Sequence, residues 1–165
     1  MKTTLFTNGV IITVSPQRQV LRDGAILVTG NRIARVGDTQ QVEGHAADLP
    51  NVERIDLQGK IVIPGLINGH IHLLQSLMRG LAERLNLHDW ASCAIWPMEV
   101  SYHGDDGYIA ARLAMAEMIK TGTTCFLEPM LPASAGFDRV AAAVGETGIR
   151  ACLVGLPSVR KDDKN

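Results

Sequence analysis

Over the first 62 positions the apolar residues fall in short runs broken by turn chemistry, which predicts strands rather than helices. Residues 5–14 are rich in Val, Ile and Thr, with Asn8-Gly9 as a turn or bulge inside the run. Residues 25–29 read as a second strand, Gly30-Asn31 as a turn, and residues 32–36 as the hairpin partner. The polar stretch 37–51 reads as a loop with at most one helical turn. Strands at 53–57 and 60–63 follow, separated by the tight turn Gln58-Gly59 and ended by Pro64.

From Pro64-Gly65 onward the pattern changes. Residues 66–73 form a short, almost wholly apolar run, as expected of a buried parallel strand. A helix is predicted over 75–84, followed by an irregular segment through Trp90 and Trp96-Pro97. Asp105 or Asp106 can cap a helix running to Lys120, in which Ile109, Leu113, Ala116 and Ile119 recur at helical spacing, and Gly122 suits its C-terminal cap. Residues 123–127 read as a second buried strand. Ser134 can cap a third helix with Val140 and Val144 facing inward and Gly148 ending it, and residues 149–154 form a third strand. The charged tail 160–165 is expected to fray. The alternation of strands and helices argues for βαβ units and a parallel sheet.

Composition narrows the class. The 165 residues are 46% hydrophobic and 20% charged, with a formal net charge of −1. That fits an ordinary globular protein and excludes disorder, and near-neutrality argues against nucleic acid or an anionic membrane as partner. No apolar run approaches the ~20 residues of a membrane span. The N-terminus lacks a cleavage site after its first apolar residues, so a cytoplasmic location is expected. Cys93, Cys125 and Cys152 are odd in number and widely spaced, which fits small buried hydrophobes in a reducing compartment rather than a disulfide framework.

The sharpest chemical signal is His70-Ile71-His72. Residues two apart on a strand share a face, so two imidazoles would project side by side from the strand's C-terminal end. Neutral imidazole ligates zinc and related divalent ions. Taken without context, such a pair is also compatible with a surface feature or a satisfied core pair. His45, His88 and His103 read as solvated; Glu128, at the end of the second strand, is a further candidate at the same end.

The context of the pair is a resemblance. Residues 62–80 read Val-Ile-Pro-Gly-Leu-Ile-Asn-Gly-His-Ile-His-Leu-Leu-Gln-Ser-Leu-Met-Arg-Gly. This resembles the opening of the amidohydrolase superfamily. Asp89-Trp90, Ile95-Trp96-Pro97-Met98-Glu99 and Ala116-Glu117-Met118-Ile119-Lys120-Thr121-Gly122-Thr123-Thr124 are similar to one branch of it. That branch contains S-adenosylhomocysteine and methylthioadenosine deaminases, guanine and cytosine deaminases and triazine hydrolases. The resemblance implies an α/β fold: an incomplete parallel (β/α) TIM-type barrel over 63–165, preceded over 1–62 by part of a small β-sandwich. It implies hydrolysis of a non-peptide carbon–nitrogen bond, by deamination of a purine nucleoside or related heterocycle. It makes His70 and His72 ligands of one divalent metal, zinc or alternatively iron, and places Glu99 and Arg150 against substrate. On their own chemistry, Glu99 could be a solvated loop carboxylate and Arg150 a strand-end ion-pair partner.

Roughly 100 residues follow position 62, against the ~250 of a complete barrel. A catalytic zinc takes three protein ligands plus water, and only two are nameable here. The expectation is therefore an N-terminal piece of such an enzyme, inactive as the isolated chain, with metal bound weakly or not at all. Rival readings are a dechlorinating or amide-cleaving amidohydrolase, and a non-catalytic fragment that pairs with a full-length homologue. A homo-oligomer is compatible with either.

Overall fold

The computed structural model describes residues 1–156, so the expected fraying of the tail lies outside the described residues. The chain is a mixed α/β protein that divides into two compact units, Met1–Pro64 and Gly65–Asn165.

The first unit is one mixed sheet of five strands with a helix on one face. Strands β1 (Thr3–Ile12), β2 (Val20–Thr29) and β3 (Arg32–Asp38) form an antiparallel meander, and β4 (Val52–Asp56) and β5 (Ile61–Val62) lie parallel to β1. The predicted bulge is the reason two short strands share one neighbour. Asn8 sits at φ 57°, the β1–β2 register shifts there, and β4 pairs with Thr3–Thr7 while β5 pairs with Val10 and Ile11. Asp56 Oδ1 accepts from Asn8 Nδ2 and from the Gln58 N–H, tying the bulge to the Gln58-Gly59 turn. The stretch expected to be loop contains an eight-residue helix, α1 (Thr39–Ala46). Its Val42 and Ala46 are buried against Leu5, Ala25 and Leu27. That burial against the sheet outweighs the weak propensity of Thr-Gln-Gln-Val-Glu-Gly.

The second unit carries a parallel sheet in the order β6-β7-β8: β6 (Leu66–Asn68), β7 (Thr123–Leu131) and β8 (Arg150–Gly155). Helix α4 (Asp106–Lys120) connects β6 to β7, and α5 (Phe137–Thr147) connects β7 to β8. Both helices end on the glycines read from sequence, Gly122 at φ 86° and Gly148 at φ 72°. Their shared core comprises Ala110, Ala111, Ala114, Met115, Phe126, Val140 and Ala143, among others.

Several expectations change. The strand predicted over 66–73 stops at Asn68, and it is an edge strand, so Leu66 and Ile67 are exposed rather than buried. The helix predicted over 75–84 is a short 3₁₀ segment, Leu73–Met78, because only Leu73, Leu74 and Met78 find a core, while Gly80 and Arg84 turn to positive φ. The segment expected to be irregular is helical. Short helix α2 (Leu87–Asp89) runs through a π-helical stretch (Trp90–Ile95) into α3 (Trp96–Ser101), with Ala91 and Ile95 as its buried contacts. In α4 the buried stripe is Gly107, Ala110, Ala111, Ala114, Met115 and Met118, one position off the bulky series Ile109, Leu113 and Ile119, which stays partly exposed. Small residues face inward because the helix lies close to its neighbours. Ser134 does not cap α5; its hydroxyl donates to the Glu99 carbonyl, and Gly136, at φ 69°, starts the helix.

A close approach to α4 lies at Gly107, where an added Cβ would collide with the Ala135 carbonyl. Gly→Ala inside a helix ordinarily gains about 0.5–1 kcal/mol, whereas overpacking costs about 1–3 kcal/mol. Gly107→Ala is therefore expected to lower the urea unfolding midpoint; a raised midpoint would refute the close approach.

Candidate metal centre

The site is built where β6 ends. Gly69 follows the strand, and Asn68 Oδ1 accepts from the His70 N–H at 3.2 Å, turning the chain locally. The extended path then resumes, because the Ile71 N–H donates to the Leu127 carbonyl of β7 at 3.0 Å. This bond holds His70 and His72 on the same side although neither lies within β6 proper. Their Nε2 atoms converge to 3.2 Å, with the ring planes 87° apart.

That spacing admits two chemistries. One ring can donate its N–H to the other, or both can turn a lone pair on one ion. Two ligands about 2.0–2.1 Å from a tetrahedral zinc stand roughly 3.3–3.4 Å apart, so the pair fits a shared zinc. Imidazole nitrogen also suits iron. Among the described residues no group of three or more His, Cys, Asp or Glu side chains could hold a metal, so the pair stands as two ligands.

Behind His72 lies Glu128, buried to 1% exposure on the face of β7 that it shares with Phe126. Its Oε2 accepts from the Leu73 N–H at 2.7 Å and its Oε1 from the Met130 N–H at 2.9 Å. Oε1 also lies 3.4 Å from His72 Nδ1. Pro129, which has no N–H to lose, sits between Glu128 and Met130, beyond the reach of β6 and inside the β7–β8 register shift.

A cleft of about 700 Å³ opens beside β6. Asn68, His72, Thr121 and Thr123 are among the residues that line it. Its wall carries Gln75, Trp90 and the Arg79–Glu117 pair, whose two nitrogen–oxygen contacts are 3.0 and 2.7 Å. Hydrogen bonding to Arg79 holds the Glu117 carboxyl below its usual range, and Glu117 raises Arg79 in turn.

Glu99, on α3, reaches this wall indirectly. Its Oε1 accepts from Gln75 Nε2 at 3.2 Å, and its carbonyl accepts from Ser134. Arg150 is not brought to this end of the sheet. It opens β8, pairs in register with Cys125, and donates to Thr124 Oγ1 at 3.0 Å. Leu153, the β8 partner of Glu128, lies three residues farther on, or about 10 Å along the strand. A substrate-facing Arg150 therefore has no support in this geometry. Of the cysteines expected to be buried, Cys93 and Cys152 are exposed.

Residues 61–165 match the amidohydrolase family. The chain belongs to this family. It is 34% identical over 153 residues to a 5-methylthioadenosine/S-adenosylhomocysteine deaminase of Bacillus cereus (strain 03BB102), a match covering 93% of this chain and 34% of that relative. The amidohydrolase chain thus spans about a third of the length of the curated relatives it matches. Among solved structures it resembles the zinc-complexed atrazine chlorohydrolase of Arthrobacter aurescens TC1, with TM-score 0.79 and 25% identity over 92% of this chain and 35% of that one. It also resembles a zinc-bound adenosine deaminase of Xanthomonas campestris, with TM-score 0.71 and 29% identity over 90% of this chain and 32% of that one.

Tyr102 anchors the turn that follows the histidines, donating its hydroxyl to the Leu74 carbonyl at 2.8 Å. Burial, helped by the charges of Asp106 and Glu99, pushes its phenol above the usual tyrosine range. A group with a raised folded pKa contributes stability that is complete below its unfolded value, ~10 for tyrosine, and lost as pH rises through the folded value. The urea midpoint is expected to fall more steeply above pH ~10 in the wild type than in Tyr102→Phe. Parallel slopes would show that the phenol is free to ionise.

Proposed function

We propose that this amidohydrolase chain contributes the first two ligands of a divalent metal centre, His70 and His72, to a hydrolase of carbon–nitrogen bonds. The observation that carries the reading is the convergence of the two Nε2 atoms at 3.2 Å, with no residue between them. Zinc is the metal we assign. When bound, such an ion lowers the pKa of a coordinated water to about 7 and supplies hydroxide at neutral pH.

The reaction we assign is deamination of a purine nucleoside or a related heterocycle, and the names of the deaminase relatives support it. The cleft beside His72 offers an apolar wall from Trp90, Ile95 and Met118 together with polar groups at Gln75 and Arg79. That mixture suits a flat heterocycle with a hydroxylated substituent. Glu99 is assigned to the substrate's hydroxyls, held in place through Gln75. Because a catalytic zinc takes three protein ligands and the described residues offer two here, the remaining ligands belong to residues outside this set.

The test begins with the polypeptide that carries this sequence in its natural source. It is captured with an antibody to residues 16–24, weighed intact, and assayed for ammonia release from 5′-methylthioadenosine, S-adenosylhomocysteine, adenosine and guanine. The expected result is ammonia release abolished by a chelator and restored by zinc. In the 165-residue chain, cobalt(II) is expected to bind weakly, and binding should disappear in His70→Ala and in His72→Ala. Release insensitive to chelation, or cobalt binding unchanged in both variants, overturns the metal assignment. Chloride release from a chlorotriazine without any deamination overturns the substrate assignment alone.

A further inference from the structure

We propose that Glu128 is a positioning residue for His72: through Nδ1 it fixes the imidazole in the tautomer that leaves Nε2 free as a ligand. The proposal rests on the metal reading of the histidine pair and adds to it a residue from another strand.

The first observation is that Glu128 is a carboxylate in a place that would otherwise be core. It is almost fully buried on β7, two residues from Phe126 on the same face, and 55 residues away in sequence from the N–H it bonds. Burying a carboxylate is costly unless its oxygens find donors. Here both do: Leu73 N–H on Oε2 and Met130 N–H on Oε1.

These bonds fix the carboxylate on two backbones, so its direction toward His72 is set by main chain rather than by a flexible stem. Leu73 is the residue directly after His72. Glu128 therefore holds the backbone at one side of His72 and faces its ring at the other.

The second observation is the choice of ring nitrogen. Nδ1 of His72 faces Glu128 at 3.4 Å, and Nε2 faces His70 at 3.2 Å. The 3.4 Å approach is an ion-pair distance rather than one of the carboxylate's hydrogen bonds; an unprotonated carboxylate only accepts, so hydrogen on the nitrogen that faces it is the favoured arrangement. Nε2 of neutral His72 then has a lone pair. Without metal that lone pair accepts the Nε2–H of His70; with metal it is the ligand, and His70 carries its hydrogen on Nδ1. A carboxylate behind a ligating histidine fixes ring orientation and raises ligand basicity, and loss of such a partner typically costs 10–100-fold in metal affinity.

His70 is the internal comparison. Among the described residues its Nδ1 has no hydrogen bond or ion pair, and its backbone N–H is held by Asn68. The two histidines should therefore differ in a way that a purely structural role for Glu128 would not produce.

The experiment is a long-range ¹H–¹⁵N correlation spectrum of the metal-free, ¹⁵N-labelled 165-residue chain, in buffer alkaline enough for neutral imidazoles. The five histidines are assigned by single His→Gln variants. Free neutral imidazole favours hydrogen on Nε2. The expected result is the opposite form, hydrogen on Nδ1, at His72 and the ordinary form at His70.

In Glu128→Gln the His72 signals should move toward the ordinary form, and cobalt(II) affinity should fall about 10–100-fold. Glu128→Asp should recover part of both. Hydrogen on Nε2 of His72 in the wild type overturns the proposal, whether or not the variants fold. So does a folded Glu128→Gln that keeps both the wild-type tautomer and the wild-type affinity. If the tautomer is as expected but cobalt does not bind the wild type, the metal reading fails and the positioning by Glu128 stands.

Discussion

One buried carboxylate ties together the end of the second unit where its chemistry lies. Glu128 bonds the Leu73 N–H across a sequence gap of 55 residues and the Met130 N–H on its own strand. The first bond closes the turn from the histidine segment into the 3₁₀ helix. The second holds β7 together around Pro129, where a ladder bond is missing. A leucine of similar volume would avoid the desolvation of a charge but would leave two N–H groups unpaired, each at about 1–3 kcal/mol if buried. The carboxylate answers both needs from one position.

The rest of the site follows from how little else holds the His70–His72 segment. β6 is three residues long and has one neighbour, so its ladder ends before the histidines. Among the described residues, the Ile71–Leu127 bond and the Asn68 side chain guide the chain between strand and turn. Farther along, Tyr102 fixes the Leu74 carbonyl, Ser76 fixes the Ala110 carbonyl, and the Arg79 fork grips Glu117 on α4. The segment is thus a loop held at intervals, and Ser76 and the Arg79–Glu117 pair among these anchors also line the cleft beside it.

The elements legible in the sequence were those whose signal is local. Gly122 and Gly148 end their helices because a left-handed cap requires no partner elsewhere. The Asn8-Gly9 bulge and the Gln58-Gly59 turn are likewise short-range. The apolar series of α4 was visible, yet the buried stripe runs through its alanines, since which face turns inward depends on how near the neighbouring elements come. The 75–84 segment has a helical pattern, but its Leu77 and Leu81, and Leu85 just beyond it, stay exposed, and a short 3₁₀ helix over Leu73–Met78 buries Leu73, Leu74 and Met78. α1 was hidden in polar sequence because its stability comes from Val42 and Ala46 packing on β1 and β2.

The candidate site divides along the same line. His-x-His was legible because two-residue spacing places both rings on one side, and the Ile71–Leu127 bond preserves that parity beyond the strand. Glu128 could be flagged only by its place at a strand end; its bond to Leu73 depends on how the segment after β6 lies along β7, and its bond to Met130 on the local path of β7. Arg150 shows the converse. The resemblance placed it against substrate, but a parallel strand has two ends, and Arg150 stands at the start of β8 while the histidines follow the end of β6. In a parallel sheet all strand C-termini lie on one side, so a side chain's place along its strand decides which chemistry it can join. By that criterion Glu128 stands with the histidines and Arg150 with Thr124, and the carboxylate, rather than the arginine, is the charged group the fold delivers to the metal ligands.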